Sequence, residues 1–167
     1  MASESAPSCD LLIVWHSVTG SSRQLAEAAF QGAGDNAARC LFCTDAGPQD
    51  VLAAKVLLFV CPENLGSMSG LMKDFFDRCY YPVLERVAGR SYATVISAGS
   101  DGQGAARQID RIVTGWRLRQ AAPTLIVCTH AQTPEAILAP KQLSEAQLAP
   151  ARELGEALAG GAAMGVF

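Results

Sequence analysis

The chain has 167 residues, half of them hydrophobic and 17% charged, enough apolar material for a full core and too much for a disordered chain. Thirteen basic against sixteen acidic residues leave a net charge of −3, which disfavours a nucleic-acid or anionic-membrane partner. No apolar stretch approaches the length of a membrane span, and residues 1–8 lack the basic start and apolar core of a secretory signal. The expectation is a cytoplasmic protein with a flexible N-terminus over 1–9 and a single domain over 10–167.

Five apolar, β-branched segments predict strands near 11–16, 38–43, 55–61, 91–97 and 124–129. Four are nearly continuous apolar runs, as expected where both faces of a parallel sheet are covered. The 38–43 segment is weaker and belongs at or near an edge. Leu25, Ala26, Ala29, Phe30 and Ala33 repeat at helical spacing, with Gly34 as a stop. Only one short helix fits between Thr44 and Ala54. Leu71, Met72, Phe75, Phe76 and Cys79 form a second stripe, expected to end before Pro82, and Ala105, Ala106, Ile109, Ile112, Val113 and Trp116 form a third. Near the C-terminus Ser144-x-x-Gln147 has the form of a capping box, but Pro150 would interrupt a helix begun there, so the prediction is a turn and then a helix over about 150–159. Alternating strands and helices imply right-handed crossovers and a doubly wound α/β sheet.

The six cysteines are scattered and read as buried thiols, not as a disulfide framework. Cys40-Leu41-Phe42-Cys43 has the C-x-x-C form, but on a strand its two side chains point to opposite faces, so core packing is the better reading.

Between the first strand and the first helix lies Ser17-Val18-Thr19-Gly20-Ser21-Ser22. A helix start offers unpaired N–H groups and a positive dipole end to an anion, and the hydroxyls add donors. The spacing Gly-x-x-x-x-Gly-Lys of a triphosphate loop is absent, so the pattern fits a monophosphate held without a metal, as in flavin mononucleotide, FMN. In a doubly wound sheet, ligands bind beyond the carboxyl ends of the strands. The loops after the third and fourth predicted strands therefore join the first there. They are Pro62-Glu63-Asn64-Leu65-Gly66-Ser67, running on to Gly70, and Ser97-Ala98-Gly99-Ser100-Asp101-Gly102, running on to Gly104. His16 and His130 end strands near this edge and read as structural histidines rather than acid/base groups. Arg23 reads equally as a phosphate ligand or a solvated arginine. Lys73, Asp74, Asp77 and Arg78 read as a charged helix face.

Three loops in this order resemble the flavodoxin-like superfamily, on the side of the NAD(P)H-dependent FMN reductases and WrbA-type quinone oxidoreductases. Ser17-x-Thr19-Gly20-x-Ser22 matches the phosphate loop. Pro62-x-x-x-Gly66-Ser67-Met68-Ser69-Gly70-x-x-Lys73-x-Phe75-x-Asp77-Arg78 resembles the second flavin loop with its helix, and 99–104 resembles the third. The resemblance implies a three-layer sandwich with a five-stranded parallel sheet in the order 2-1-3-4-5. It implies FMN with its phosphate on Ser17–Ser22, its ring bordered by Pro62–Ser67, and its pyrimidine side lined by Ser97–Gly102. It also implies NAD(P)H as co-substrate, small-molecule electron donors and acceptors, and a homodimer or homotetramer. The position before Gly66 is often aromatic in relatives and here reads Asn64-Leu65.

The cofactor carries the redox chemistry, so no catalytic side chain is named. Two classes compete: an enzyme passing hydride from NAD(P)H through FMN to a quinone or similar acceptor, and a flavodoxin-type single-electron carrier. Neither 62–70 nor 97–104 holds an aromatic residue, and the acidic excess is small; both favour the enzyme. A non-redox domain that has lost FMN is the third class.

Overall fold

The computed structural model describes residues 6–167. Its elements run β1 (Cys9–Trp15), α1 (Ser21–Ala33), β2 (Ala38–Phe42), α2 (Pro48–Ala53), β3 (Ala54–Asn64), β4 (Ser67–Met68), α3 (Gly70–Val83), β5 (Ser91–Ala98), α4 (Gln103–Gly115), β6 (Arg119–Gln120), β7 (Leu125–Cys128), α5 (Pro134–Leu138) and α6 (Glu145–Ala163). Of the stretch expected to be flexible, residues 1–5 lie outside the described residues, and Cys9 already opens β1.

The main strands pair in parallel in the order β2-β1-β3-β5-β7, the order expected for a flavodoxin-like fold. The weak second strand is at the edge. The fifth expected strand is β7; a further two-residue strand, β6, pairs with the start of β5, and Ala121 to Thr124 with Pro123 separates the two along that edge.

Alternate residues of each strand go to opposite layers. Leu12, Val14, Leu57, Phe59 and Cys61 pack toward α2, α3 and α4, while Leu11, Ile13, Val56, Leu58 and Val60 pack toward α1 and α6. All ten are fully buried, which explains why these strands read as unbroken apolar runs. Burying one such Leu or Phe stabilises the fold by about 1.5–3 kcal/mol. Cys43 belongs to the first layer and Cys40 to the second, so the C-x-x-C pair is divided by the sheet.

The helix α6 begins at Glu145, not near residue 150, and runs straight through Pro150. The capping box forms: Ser144 N–H donates to Gln147 Oε1 at 2.9 Å and Gln147 N–H to Ser144 Oγ at 3.3 Å. Pro150 stands on the exposed face, where the one carbonyl it leaves unpaired faces water. Packing outweighs that loss. A Cβ on Gly32 would fall into the Arg152 carbonyl, and one on Gly155 into the Ala29 carbonyl, so α1 and α6 meet backbone against backbone. Pro82 is likewise inside α3, in its last turn, and does not end it; the buried Cys79 and Val83 on either side hold the turn in place.

Candidate functional site

The loops after β1, β3, β5 and β7 meet at one edge of the sheet around a cleft of about 490 Å³, a size that suits a cofactor. Its lining includes Val18, Thr19 and Ser21 from the first loop, Pro62, Glu63, Asn64, Leu65 and Gly66 from the second, and Ser97, Ala98, Gly99 and Ser100 from the third. Ser17, Gly20, Ser22, Ser67, Asp101 and Gly102 are not among the lining residues, and Asp101 is exposed to solvent.

Two helices start at the cleft, and only one start is open. The N-cap of α1 is Gly20, at φ 96°, a conformation costly for any residue with a side chain. Glycine brings no acceptor of its own, and there is no acidic residue in the first turn. At α4 the opposite holds. Glu63 reaches across from β3 and takes Gly102 N–H and Ala105 N–H on its two carboxylate oxygens, each at 3.0 Å. That carboxylate fills the α4 start with charge-assisted bonds, leaving α1 as the place for an external anion.

The hydroxyls around α1 divide in the same way. Ser21 Oγ donates to Ser97 Oγ at 3.0 Å, and Ser22 Oγ and Ser97 Oγ lie 2.7 Å apart. All three are buried and lock α1 to the end of β5; Ser21 and Ser97 also border the cleft, and Ser22 does not. Ser17 Oγ accepts from Gly20 N–H at 3.1 Å and shapes the loop. Thr19 lines the cleft, and its backbone carbonyl accepts from Lys141 N–H at 2.8 Å.

The second loop is a hairpin. Glu63 pairs with Met68 and Asn64 with Ser67, leaving Leu65-Gly66 as a two-residue turn. Both have positive φ, 52° and 74°, as the tightest hairpin turns require. Leu65 is fully exposed at the tip. The hairpin rests on α4: Met68 N–H donates to Gln108 Oε1 at 2.9 Å, and Gly104 lies so close to the Gly66 carbonyl that a Cβ would not fit. A cleft lined by an open helix start and two glycine- and serine-bearing loops suits a molecule carrying a monophosphate.

The family model of NADPH-dependent FMN reductase matches residues 45–129 of the 167. The chain belongs to this family. It is an FMN-binding flavoprotein with a flavodoxin-like fold. No match is found among curated protein sequences. Among solved structures, a flavodoxin from the domain Archaea superposes with a TM-score of 0.73 at 16% identity, over 92% of this chain and 99% of that one. The flavodoxin, WrbA-like protein from Agrobacterium tumefaciens gives 0.68 at 19% identity, over 94% and 99%. The flavodiiron protein from Giardia intestinalis gives 0.74 at 14% identity, over 93% of this chain but only 37% of that one. At these identities the likeness is one of fold.

The flavoprotein's cleft has a fourth wall that sequence reasoning missed. Thr129, Ala131, Ile137, Leu138 and Lys141 line it from the segment after β7. The signal was present in Thr133-Pro134: a hydroxyl N-cap followed by proline opens a short helix. In the structure Ala136 N–H donates to Thr133 Oγ1 at 3.2 Å, and α5 follows.

The other expected groups lie outside the lining. His16 is buried, with its Nδ1 2.8 Å from Ser69 Oγ and its ring against Phe42, and burial pulls its pKa below the ordinary 6.5. It ties the end of β1 to the start of α3. His130 is exposed at the end of β7. Arg23 is exposed and pairs with Glu27 at 3.6 Å. Lys73 with Asp77 and Arg78 with Asp74 form ion pairs along α3, and Arg78 also donates to the Ala46 and Cys43 carbonyls. Burial pushes the thiols of Cys61 and Cys79 up to about 12 and that of Cys43 to about 11, so none of these is a nucleophile at neutral pH. No described helix is long and apolar enough to cross a membrane.

Proposed function

We propose that the protein is an NAD(P)H-dependent oxidoreductase that passes hydride through FMN to a quinone or similar small acceptor. The FMN phosphate would lie on the open start of α1, held by the N–H groups of the first turn and by Thr19, with Val18 and Ser21 beside it. Pro62 to Gly66 and Ser97 to Ser100 would border the ring through backbone groups. Ser97, Ser21 and Ser22 fix the spacing between the phosphate end and the ring end. Bound FMN supplies the electron chemistry; the chain positions it, limits water and leaves an approach for the second substrate.

The observation that carries this reading is the character of the cleft wall. Among the described residues that line it, none is a Phe, Tyr or Trp. A tightly stacked aromatic lid would occupy the face that a nicotinamide or quinone must reach. Here that face is bordered by glycine, serine and aliphatic side chains. The flavodoxin-type carrier is the second reading, supported by the flavodoxin among the structural neighbours.

The test is anaerobic mixing of the FMN-loaded protein with NADPH and, separately, NADH. Loss of the blue flavin absorbance with either, and its return on adding a quinone, is the expected result. If neither nucleotide bleaches the flavin while a chemical reductant does so in two separate steps, the carrier reading replaces the enzyme.

A further inference from the structure

Exposed large apolar side chains gather at the cleft. The described residues include eight of them, and four (Val18, Leu65, Ile137 and Leu138) line this one cavity. Leu65 carries two costs at once: it is fully exposed, and it holds φ 52°, a region where Asn or Gly is at ease and leucine is not. On the other side, none of the residues of α5 is buried, so the helix gains nothing by packing on the protein.

Yet α5 is held firmly. Lys141 Nζ donates to the carbonyls of Ala136, Ile137 and Ala139, at 2.6, 3.0 and 2.6 Å, and closes the C-terminal end of the helix. Gln24 on α1 donates to the Lys141 carbonyl at 2.8 Å and accepts from Leu143 N–H at 3.1 Å. With the bond from Lys141 N–H to the Thr19 carbonyl, these ties fix the segment over the cleft from the phosphate side. A segment so anchored, with its apolar side chains turned outward along the cavity, has its packing partner in the cavity.

We infer that Leu65 on the hairpin and Ile137 and Leu138 on α5 form an aliphatic clamp that contacts the border of the bound FMN ring and leaves one face to the second substrate. This rests on the proposed site in the cleft. It assigns ring contact to the segment after β7, beyond the three loops. Contact with the ring removes these side chains from water, and that gain offsets the strain at Leu65.

The test uses the full chain loaded with FMN and freed of excess. An indole in contact with a flavin ring quenches its fluorescence by electron transfer, whereas leucine does not. Leu65→Trp and Leu138→Trp should each quench bound-FMN emission several-fold, while Met164→Trp, at the exposed end of α6, should leave it unchanged. In addition, Leu138→Ala should speed FMN dissociation about tenfold, through lost apolar contact. Leu138→Trp emission equal to wild type, together with an unchanged dissociation rate in Leu138→Ala, overturns the clamp. The same result with Leu65→Trp quenched leaves the cleft as the FMN site and removes only α5 from it. If Thr19→Ala binds FMN like wild type and neither tryptophan quenches, the cleft itself is the wrong site.

Discussion

Thr19 and Ser22 look equivalent as hydroxyls in one loop, but they face different ways. Thr19 lines the cleft, and Ser22 is buried with its hydroxyl on Ser97. Their substitutions should therefore separate. Thr19→Ala is expected to weaken FMN binding about tenfold, the loss of one hydrogen bond to an anion, with no change in melting temperature. Ser22→Ala is expected to lower unfolding free energy by about 1 kcal/mol, with the smaller effect on FMN. Titration calorimetry and thermal melts on both variants check this; the reverse pattern would show that the hydroxyls exchange roles. That this loop borders a cleft was legible from residue types and strand order. Which hydroxyl turns inward was not, because that depends on Ser97, more than seventy residues away in the chain.

At the scale of elements, Glu63 decides how two helix starts are used. Its carboxylate joins β3 to α4 across the cleft and supplies the cap that Gly102 lacks. Glu63→Gln keeps the shape and removes the charge. It should cost about 1–2 kcal/mol of stability and lower the melting temperature, and an unchanged melt would mean that the two bonds contribute nothing net. Strands β1, β3 and β5 were legible because burial on both faces writes a continuous apolar run, and β7 and the weaker edge strand β2 were also read from their apolar segments. The two-residue strand β6, the hairpin at Leu65 and the helix α5 were not. Each is short, and a leucine at a positive φ runs against the turn chemistry by which hairpins are read. Pro150 misled for the opposite reason: the local rule is sound, but contact with α1 along Gly32 and Gly155 outweighs it.

For the whole molecule, the buried His16 links pH to stability. Its folded pKa lies below the ordinary 6.5 because burial penalises the imidazolium. The unfolded chain therefore binds the proton more readily. This contribution is complete above the unfolded value, falls as pH drops through the weakly acidic range, and levels off below the folded value. Its slope cannot exceed about 1.4 kcal/mol per pH unit. Denaturant unfolding of wild type and His16→Gln over that range should show a shallower loss in the variant, and parallel curves would remove His16 as the cause.

The backbone contact between α1 and α6 has a consequence for how this protein can change. The α1 end of the cleft stands on a helix packed against α6 with no room for a Cβ at Gly32 or Gly155, so substitutions there act on the fold itself. The other side of the cleft is bordered by Leu65, Ile137 and Leu138, all exposed, where replacement costs the fold little. One end of the cleft is therefore closed to variation and the other is free to drift, and new substrate preferences can accumulate at the free end without loosening the anchor.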